Sequence, residues 1–479
     1  MENLPADNLK YYDLGSGLVT NTIGSSMIKW NMASFMGRIN YNYLGRYLLT
    51  VSARYDGSSR LADGHKWVLF PSAALAWRIN EESFMSSTSG WLDNLKLRLG
   101  FGKTGNSAVD PYQTKGTLSL IRYPFDNGGT PTIGYAPNAM ANSLLTWETT
   151  DQWNLGIVFG VLRGRINGTI DLYMQNTHDL LLKRQLPVVS GFPDVLSNVG
   201  KTRNKGIEVS INSMNINSKD FQWTTDLMLS SNKEEIVELY NGKNDDIGSK
   251  WFIGQPVNVH YDYRKVGIWQ NTESDLAEMA KFAANGTEFA PGDIKIQDVN
   301  GDYKITDADK QILGNPRPKL IASMVNTFNY KGFDLSVFLY ASFGAMLYND
   351  IYAVEHCGRN GGVKVDYWTP NNPTNAYPRP SIDEERPIYI TSTYYEKADF
   401  LRVKTMTLGY TLPKTLTNKF LVEKLRVYFT AQNPFIFTNY TGIDPEAAKV
   451  NSAGNPETNG SGFGTPSVSS WIFGINLTL

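Results

Sequence analysis

Hydrophobic and polar residues alternate along segments of this chain, and the pattern is clear in 332–343. There Phe333 and Leu335 fall on one face and Asp334 and Ser336 on the other, because successive side chains of a β-strand point to opposite sides. A tilted strand of about ten residues crosses the hydrocarbon core of a bilayer. The pattern therefore predicts strands that have one apolar and one polar face and are long enough to span a membrane.

The same alternation recurs in about 13 segments of the sequence. It is clean in 46–56, 93–103 and 424–433, and mixed in 399–411. The predicted strands are 30–41, 46–56, 68–79, 93–103, 148–160, 164–176, 204–215, 220–231, 318–329, 332–343, 399–411, 424–433 and 470–479.

The connections between these segments are alternately short and long. Outer-membrane β-barrels have short turns on the periplasmic rim and long loops on the extracellular rim, so the lengths predict an antiparallel transmembrane β-barrel. A soluble β-sandwich also alternates, but long structureless connections are uncommon in compact soluble domains. A soluble or surface-attached glycan-binding β-protein without transport activity is the alternative. The long connections are 57–67, 104–147, 177–203, 232–317, 344–398 and 434–469.

The orientation of the strands gives an expectation for each end of the barrel. The last strand ends at the periplasmic rim, as in bacterial barrels, whereas the first strand begins at the loop rim. Residues 1–29 are therefore predicted to be the remnant of an extracellular loop. Because single-chain bacterial barrels have an even number of strands, the sequence predicts that 30–479 is the C-terminal portion of a longer barrel.

Composition and charge exclude several other classes of function. The formal net charge is −1 and no basic run is present, so nothing indicates a nucleic-acid partner. The single cysteine, Cys357, excludes a disulfide within the chain and a cysteine-based metal site. No nucleophile–base motif is visible, so the sequence does not predict an enzyme.

Several runs of residues, in the order of a known family, carry a resemblance. Residues 70–78, Phe-Pro-Ser-Ala-Ala-Leu-Ala-Trp-Arg, and 97–106, Leu-Arg-Leu-Gly-Phe-Gly-Lys-Thr-Gly-Asn, resemble the SusC/RagA family of TonB-linked (TonB-dependent) outer-membrane transporters. The resemblance extends from about residue 33 to the end of the chain. Further matching runs are 42–61, 147–156, 204–210, 292–302 and 400–410.

The resemblance implies a plugged barrel of about 22 strands in the cell outer membrane, energised through TonB. It also implies a SusD-like lipoprotein as partner, and glycans, oligosaccharides or peptides as the imported nutrient. The N-terminal plug domain and the segment that contacts TonB have no counterpart in this sequence. The chain is thus expected to supply about 13 of the strands, and no cofactor is required.

An insertion at 292–314 contains a loop with the spacing of a calcium site. Calcium loops place oxygen ligands at positions 1, 3, 5 and 12 and a backbone carbonyl at position 7. The loop resembles that of dockerins, but Tyr303 occupies position 6, where a left-handed turn costs a non-glycine residue about 1–2 kcal/mol. The alternative is a solvated turn that binds no ion. The predicted ligands of this structural calcium are Asp298, Asn300, Asp302, the carbonyl of Lys304, and Asp309.

Two further sets of residues are candidates for contact with substrate and with the barrel lumen. Aromatic rings in the long loops could stack on sugars or on peptide side chains; packing within the loops or an interfacial girdle is the alternative. These loop aromatics are Trp251, Phe252, Tyr261, Tyr263, Trp269, Tyr367, Trp368, Tyr377, Tyr389, Tyr394 and Tyr395. The charged residues predicted to face the lumen are Arg54, Asp56, Lys96, Arg98, Asp171, Asp226, Asp334 and Arg426.

Overall fold

The computed structural model describes residues 25–123, 132–349, 364–380, 386–417, 419, 422–446 and 467–478. Most of the predicted loop remnant at 1–29 lies outside these residues and stays a prediction. The strands are β1 (Met32–Tyr43), β2 (Tyr47–Ser58), β3 (Trp67–Arg78), β4 (Leu92–Asn106), β5 (Thr117–Tyr123), β6 (Thr132–Ala139), β7 (Glu148–Val161), β8 (Ile166–His178), β9 (Leu181–Gln185), β10 (Asp194–Asn198), β11 (Lys201–Asn217), β12 (Phe221–Glu238), β13 (His260–Asp262), β14 (Lys265–Ile268), β15 (Ile294–Ile296), β16 (Gln311–Gly314), β17 (Leu320–Tyr330), β18 (Phe333–Phe343), β19 (Met346–Tyr348), β20 (Tyr395–Lys397), β21 (Phe400–Thr411), β22 (Lys424–Thr438) and β23 (Ser470–Thr478).

Thirteen of these strands form one antiparallel sheet, in the order β1-β2-β3-β4-β7-β8-β11-β12-β17-β18-β21-β22-β23. We call this sheet the wall. Each wall strand pairs with the wall strands that precede and follow it along the chain. All 13 predicted strands are confirmed as wall strands.

The mixed alternation of 399–411 has a structural cause. A bulge in β21 shifts the register between Val403 and Thr405, relative to both β18 and β22. The extra residue, Lys404, is left without a partner in the ladder, so the alternation of faces restarts on either side of it.

The long connections contain secondary structure, so the expectation of structureless loops is wrong. Ten of the strands pair as five two-stranded sheets within these connections. The described helices are α1 (Glu273–Ala284), α2 (Lys414–Thr417), and 3-10 helices at Ile79–Glu81, Ser83–Thr88, Gln113–Lys115, Val188–Ser190, Asp307–Asp309 and Ile390–Thr393. None of the helices in the described residues has both the length and the apolar character needed to cross a membrane.

One face of the wall carries continuous rows of exposed apolar side chains. Leu49, Leu75, Leu99, Leu155 and Leu172 are directly opposed, strand to strand, from β2 to β8. All five are exposed. The other sheets of the described chain have only two strands each, and the exposure of the five leucines shows that no described residues cover this row. An apolar surface of this extent requires a lipid environment.

Aromatic pairs flank this apolar belt at both rims. Near the short turns, the rings of Tyr47 and Trp77 stack with their centroids 6.5 Å apart. Near the long loops, the rings of Phe101 and Trp153 lie 4.8 Å apart. Such girdles mark the two membrane–water interfaces of a transmembrane barrel.

Candidate functional site

Two long loops at the same rim fold together into one unit. We call this unit the loop lobe; it comprises 239–319 and the described residues of 344–399. Short side-chain hydrogen bonds join the two loops at several points. They run from His260 Nε2 to the carbonyl of Met346 (2.8 Å), from the Tyr395 hydroxyl to Asp262 Oδ2 (3.1 Å), and from Trp368 Nε1 to Gln270 Oε1 (2.8 Å).

Aromatic side chains fill the interior of the loop lobe. Trp269 has no exposed surface, and its ring meets that of Phe282 on α1 edge-on, with centroids 5.9 Å apart. The prediction that the loop aromatics contact substrate is therefore wrong for the buried members of the set, because their surfaces are covered by the lobe itself. Tyr367 is 46% exposed, so substrate contact stays a prediction for this residue. The buried members are Phe252, Trp269, Trp368, Tyr377 and Tyr394.

The contact between the two loops also encloses titratable groups. Burial lowers the pKa of Lys265 to about 8, and its Nζ donates a hydrogen bond of 2.7 Å to the carbonyl of Ala376. Burial lowers the pKa of His260 as well. Because loss of water is the largest cause of both pKa shifts, they indicate close packing between the loops.

The predicted calcium loop has the backbone conformation that its sequence implies. Tyr303 has a φ of +58°, so position 6 is left-handed although it is not glycine. The carboxylate of Asp298 accepts hydrogen bonds from the backbone N–H groups of Gly301 (2.7 Å) and Tyr303 (2.8 Å). The amide oxygen of Asn300 accepts one from the N–H of Asp302 at 3.1 Å. These contacts curl the chain into a tight loop.

Asp309 closes this loop from its far end. It has no exposed surface, and its carboxylate accepts hydrogen bonds from the N–H groups of Val299 (2.9 Å) and Thr306 (2.8 Å). In the part of the chain that the structure describes, no three Asp, Glu, His or Cys side chains converge as metal ligands. The structure thus brings the five predicted ligands into one loop but not into a coordination sphere, and an ion would compete with backbone amides for their oxygens.

A cavity of about 520 Å³ opens beside the calcium loop. The rings of Phe289 and Tyr389 line it, together with Arg379 from the second loop. The Arg379 Nε donates a hydrogen bond of 2.8 Å to Asp293 Oδ1. Aromatic faces beside a guanidinium–carboxylate pair can hold a sugar or a peptide side chain by stacking and hydrogen bonding. Sequence reasoning missed this cavity, because residues from two separate loops form it.

The inner face of the wall carries ion pairs between residues on strands that are not neighbours. In each pair, the strand between the two partners has a glycine at the level of the ion pair. Arg98 Nη2 on β4 lies 2.9 Å from Asp171 Oδ1 on β8, above Gly156 on β7. Arg426 on β22 pairs in the same way with Asp334 on β18 (2.9 Å) above Gly409 on β21. These four charged residues lie on the face opposite the apolar belt, as predicted for the lumen.

Replacing Gly156 by valine is expected to destabilise the barrel by about 1 kcal/mol, because the added side chain pushes Arg98 and Asp171 apart and breaks their ion pair. A Cβ at this position would lie 2.4 Å from Asp171 Oδ1 and 2.9 Å from Arg98 Nη2. The matched control is Gly100→Val on the same inner face, where the nearest atom to an added Cβ is 4.0 Å away. The temperature at which the folded band disappears on detergent gels measures the effect. Equal loss in both variants would contradict the glycine-bridged arrangement.

A buried ion cluster fastens the loop after β22 to the inner face of the wall. Arg402 is 3% exposed, and its Nη2 lies 2.5 Å from Asp444 Oδ1. Lys404, which lies at the bulge of β21, pairs with Glu446 at 2.7 Å. Lys404 lies two residues after Arg402 on the same strand, so the two cations together hold the loop after β22.

The wall has an apolar outer face, a polar inner face and long folded loops on one rim. These features together define a β-barrel of the outer membrane. The chain belongs to the family of TonB dependent receptor-like β-barrels, which it matches over residues 5–433. This is a family of outer-membrane transporters and not of enzymes. The soluble glycan-binding alternative is thereby excluded.

Relatives of known name place the chain more closely within this family. TonB-dependent receptor P3 of Formosa agariphila is 32% identical over 490 residues, which cover 98% of this chain and 48% of the relative. TonB-dependent receptor SusC of Bacteroides thetaiotaomicron is 35% identical over 434 residues, covering 87% of this chain and 41% of SusC. The resemblance to the SusC/RagA family is confirmed, and the chain spans about half the length of these relatives.

Solved structures show the same fold. The superposition on the RagAB peptide transporter covers 98% of this chain and 50% of the transporter chain, with a TM-score of 0.76. The sequence identity is 24%, so the likeness concerns the fold alone. Together with the strand order, it confirms an antiparallel barrel portion.

Proposed function

We propose that the complete protein imports a nutrient through the outer membrane, driven through TonB and in complex with a SusD-like lipoprotein. The observation that carries the proposal is the wall, whose inner face is polar and whose loop rim bears the loop lobe with its cavity. The proposed substrates are glycans, oligosaccharides or peptides. Its family membership supports the proposal, as does its similarity to SusC and to a peptide transporter.

We infer that further strands close the barrel. In the described wall, β1 and β23 each pair with a single neighbour. Unpaired backbone groups along a strand edge cost several kcal/mol each in lipid, so these edges need partners in the membrane. Additional strands that bring the total to about 22 would enclose a lumen wide enough for a plug.

Uptake of labelled nutrients tests the import proposal. Cells that lack the complete protein are expected to lose uptake of either a fluorescent oligosaccharide pool or a fluorescent peptide pool, and a plasmid copy should restore it. A protonophore that removes the energy source for TonB should abolish the restored uptake. Undiminished uptake of both pools in the deletion strain would contradict import by this protein.

We propose further that the loop at 298–309 binds a structural Ca²⁺. The spacing of its oxygen ligands, the left-handed Tyr303 and the fully buried carboxylate of Asp309 support the site. When bound, the ion would supply positive charge to a loop whose carboxylates otherwise depend on backbone amides. The loop packs against α1 through the rings of Tyr303 and Phe282, 5.5 Å apart, so the ion would stabilise the loop lobe.

Terbium luminescence offers a test of this calcium site. Tb³⁺ replaces Ca²⁺, and the adjacent Tyr303 ring should sensitise its emission, which added Ca²⁺ should quench. Asp298→Ala is expected to abolish the signal, because position 1 supplies a carboxylate ligand. The matched control is Asp307→Ala, whose side chain is 87% exposed and lies outside the ligand set. Equal emission from both variants would contradict the assignment.

A further inference from the structure

We propose that the outer face of the wall binds a phosphate-bearing headgroup of an outer-leaflet lipid. The site consists of Arg203 and Lys205 on β11 and Lys233 on β12, which we call the basic strip. All three side chains lie on the lipid-facing side of the wall, next to the long-loop rim. The proposal rests on the outward orientation of the long loops but not on import.

Strand register places the basic strip at the upper edge of the apolar belt. Lys205 lies two residues from the exposed Ile207, so both point to the outer face. Lys205 is directly opposite Met174 on β8 and Lys233 on β12. The same row continues from Met174 to Trp153 of the aromatic girdle. The strip therefore lies where the hydrocarbon ends and the headgroups of the outer leaflet begin.

The basic strip has more positive charge than its neighbours neutralise. Glu235 is shared: its carboxylate lies 3.7 Å from Arg203 Nη1 and 3.3 Å from Lys233 Nζ. Lys205 forms no ion pair with any of the described residues. The next charged couple along the strands, Lys201 and Glu238 (2.7 Å), is balanced by itself. Three cations beside one carboxylate leave a surplus of two positive charges.

The arrangement of the two lysines indicates that an anion belongs between them. Like charges directly opposite each other on neighbouring strands are destabilising, yet Lys205 faces Lys233 and both are exposed. A phosphate that bridges them would turn this repulsion into attraction. Basic residues at a membrane surface recognise lipid phosphates in this way. The aromatic and apolar side chains directly below the strip would contact the acyl chains of the same lipid.

Lipid counting on the intact barrel tests this proposal. The complete protein, purified from outer membranes in detergent, is titrated with bis-phosphorylated lipid A, and bound lipids are counted by native mass spectrometry. The double variant Lys205→Gln, Lys233→Gln is expected to bind lipid A at least about tenfold more weakly, since each surface lysine contributes about a fivefold factor. Lipid A stripped of its phosphates should bind the unmodified protein as weakly as intact lipid A binds the double variant.

The matched control removes the same charge from the opposite rim. The double variant Lys219→Gln, Lys331→Gln changes two exposed lysines of short turns and should bind lipid A like the unmodified protein. Equal weakening in both double variants would show a non-specific charge effect and overturn the proposal. Unchanged binding to the variant of the strip, or equal binding of phosphate-free lipid A, would also overturn it. A gel shift on heating confirms that each variant is folded.

Discussion

Replacing Leu155 by arginine is expected to destabilise the membrane-inserted barrel by roughly 2–4 kcal/mol, the cost of a cation facing lipid near the bilayer midplane. Leu155 is 42% exposed on the outer face of β7. It lies directly opposite Leu99 on β4 and Leu172 on β8, in the middle of the apolar belt. Hydrocarbon offers a guanidinium no hydrogen-bond partner at this depth. Urea titration of barrels folded into lipid vesicles measures the loss.

The adjacent residue provides the control for this prediction. Asn154 points to the inner face, directly opposite Gly100, which leaves room for a longer side chain. Asn154→Arg is therefore expected to change the free energy of unfolding by less than about 1 kcal/mol. If the two arginine variants were equally destabilised, the assignment of outer and inner faces would be wrong.

The wall could be predicted from the sequence because lipid imposes a strict rule on it. A strand between hydrocarbon and a polar lumen must alternate, so each crossing leaves its signature in the chain. The rule ends where the strands leave the membrane. Strands β11 and β12 extend to Lys201 and Glu238, beyond the predicted 204–215 and 220–231, where loop residues pack on the strands and Ile236 is buried. The pattern carries no information on those ends.

The loop lobe could not be predicted in the same way. A buried aromatic residue and an exposed one look alike in a loop that lacks periodicity, so Trp269 and Tyr367 belong to one predicted set. The cavity and the glycine-bridged ion pairs depend on strand register and on contacts between distant segments, which no local pattern encodes. The calcium loop is more accessible to sequence reasoning because its spacing is local, and Tyr303 has the left-handed backbone that position 6 of such a loop requires.

Helix α1 was missed although the sequence contains a signal for it. Thr272 is its N-cap, and its side chain accepts a hydrogen bond of 3.3 Å from the N–H of Asp275. A threonine followed three residues later by an acidic residue is a known start signal for a helix. The signal lies within one of the long connections, where the strand alternation gives no guide to the local structure.

Replacing Trp269 by alanine is expected to unfold the loop lobe while the wall stays intact. Deleting a fully buried tryptophan costs about 3–5 kcal/mol, a large fraction of what a small unit can lose. The Trp269 ring has no exposed surface, contacts Phe282 and Phe289, and lies 4.0 Å below Lys295 Nζ. The wall is held by separate backbone ladders. Limited proteolysis followed by mass spectrometry should therefore find new cleavage sites within 239–319 and 344–399 and none in the wall strands.

The control for this experiment is Tyr367→Ala, which removes a ring from the same lobe that is 46% exposed. That variant should resist the protease as well as the unmodified protein does, since its ring fills no interior space. The temperature of the band shift on detergent gels, which reports the wall, should be the same for both variants. Protease resistance of Trp269→Ala equal to that of Tyr367→Ala would show that the lobe has no cooperative core. A lowered band-shift temperature would show that lobe and wall unfold together.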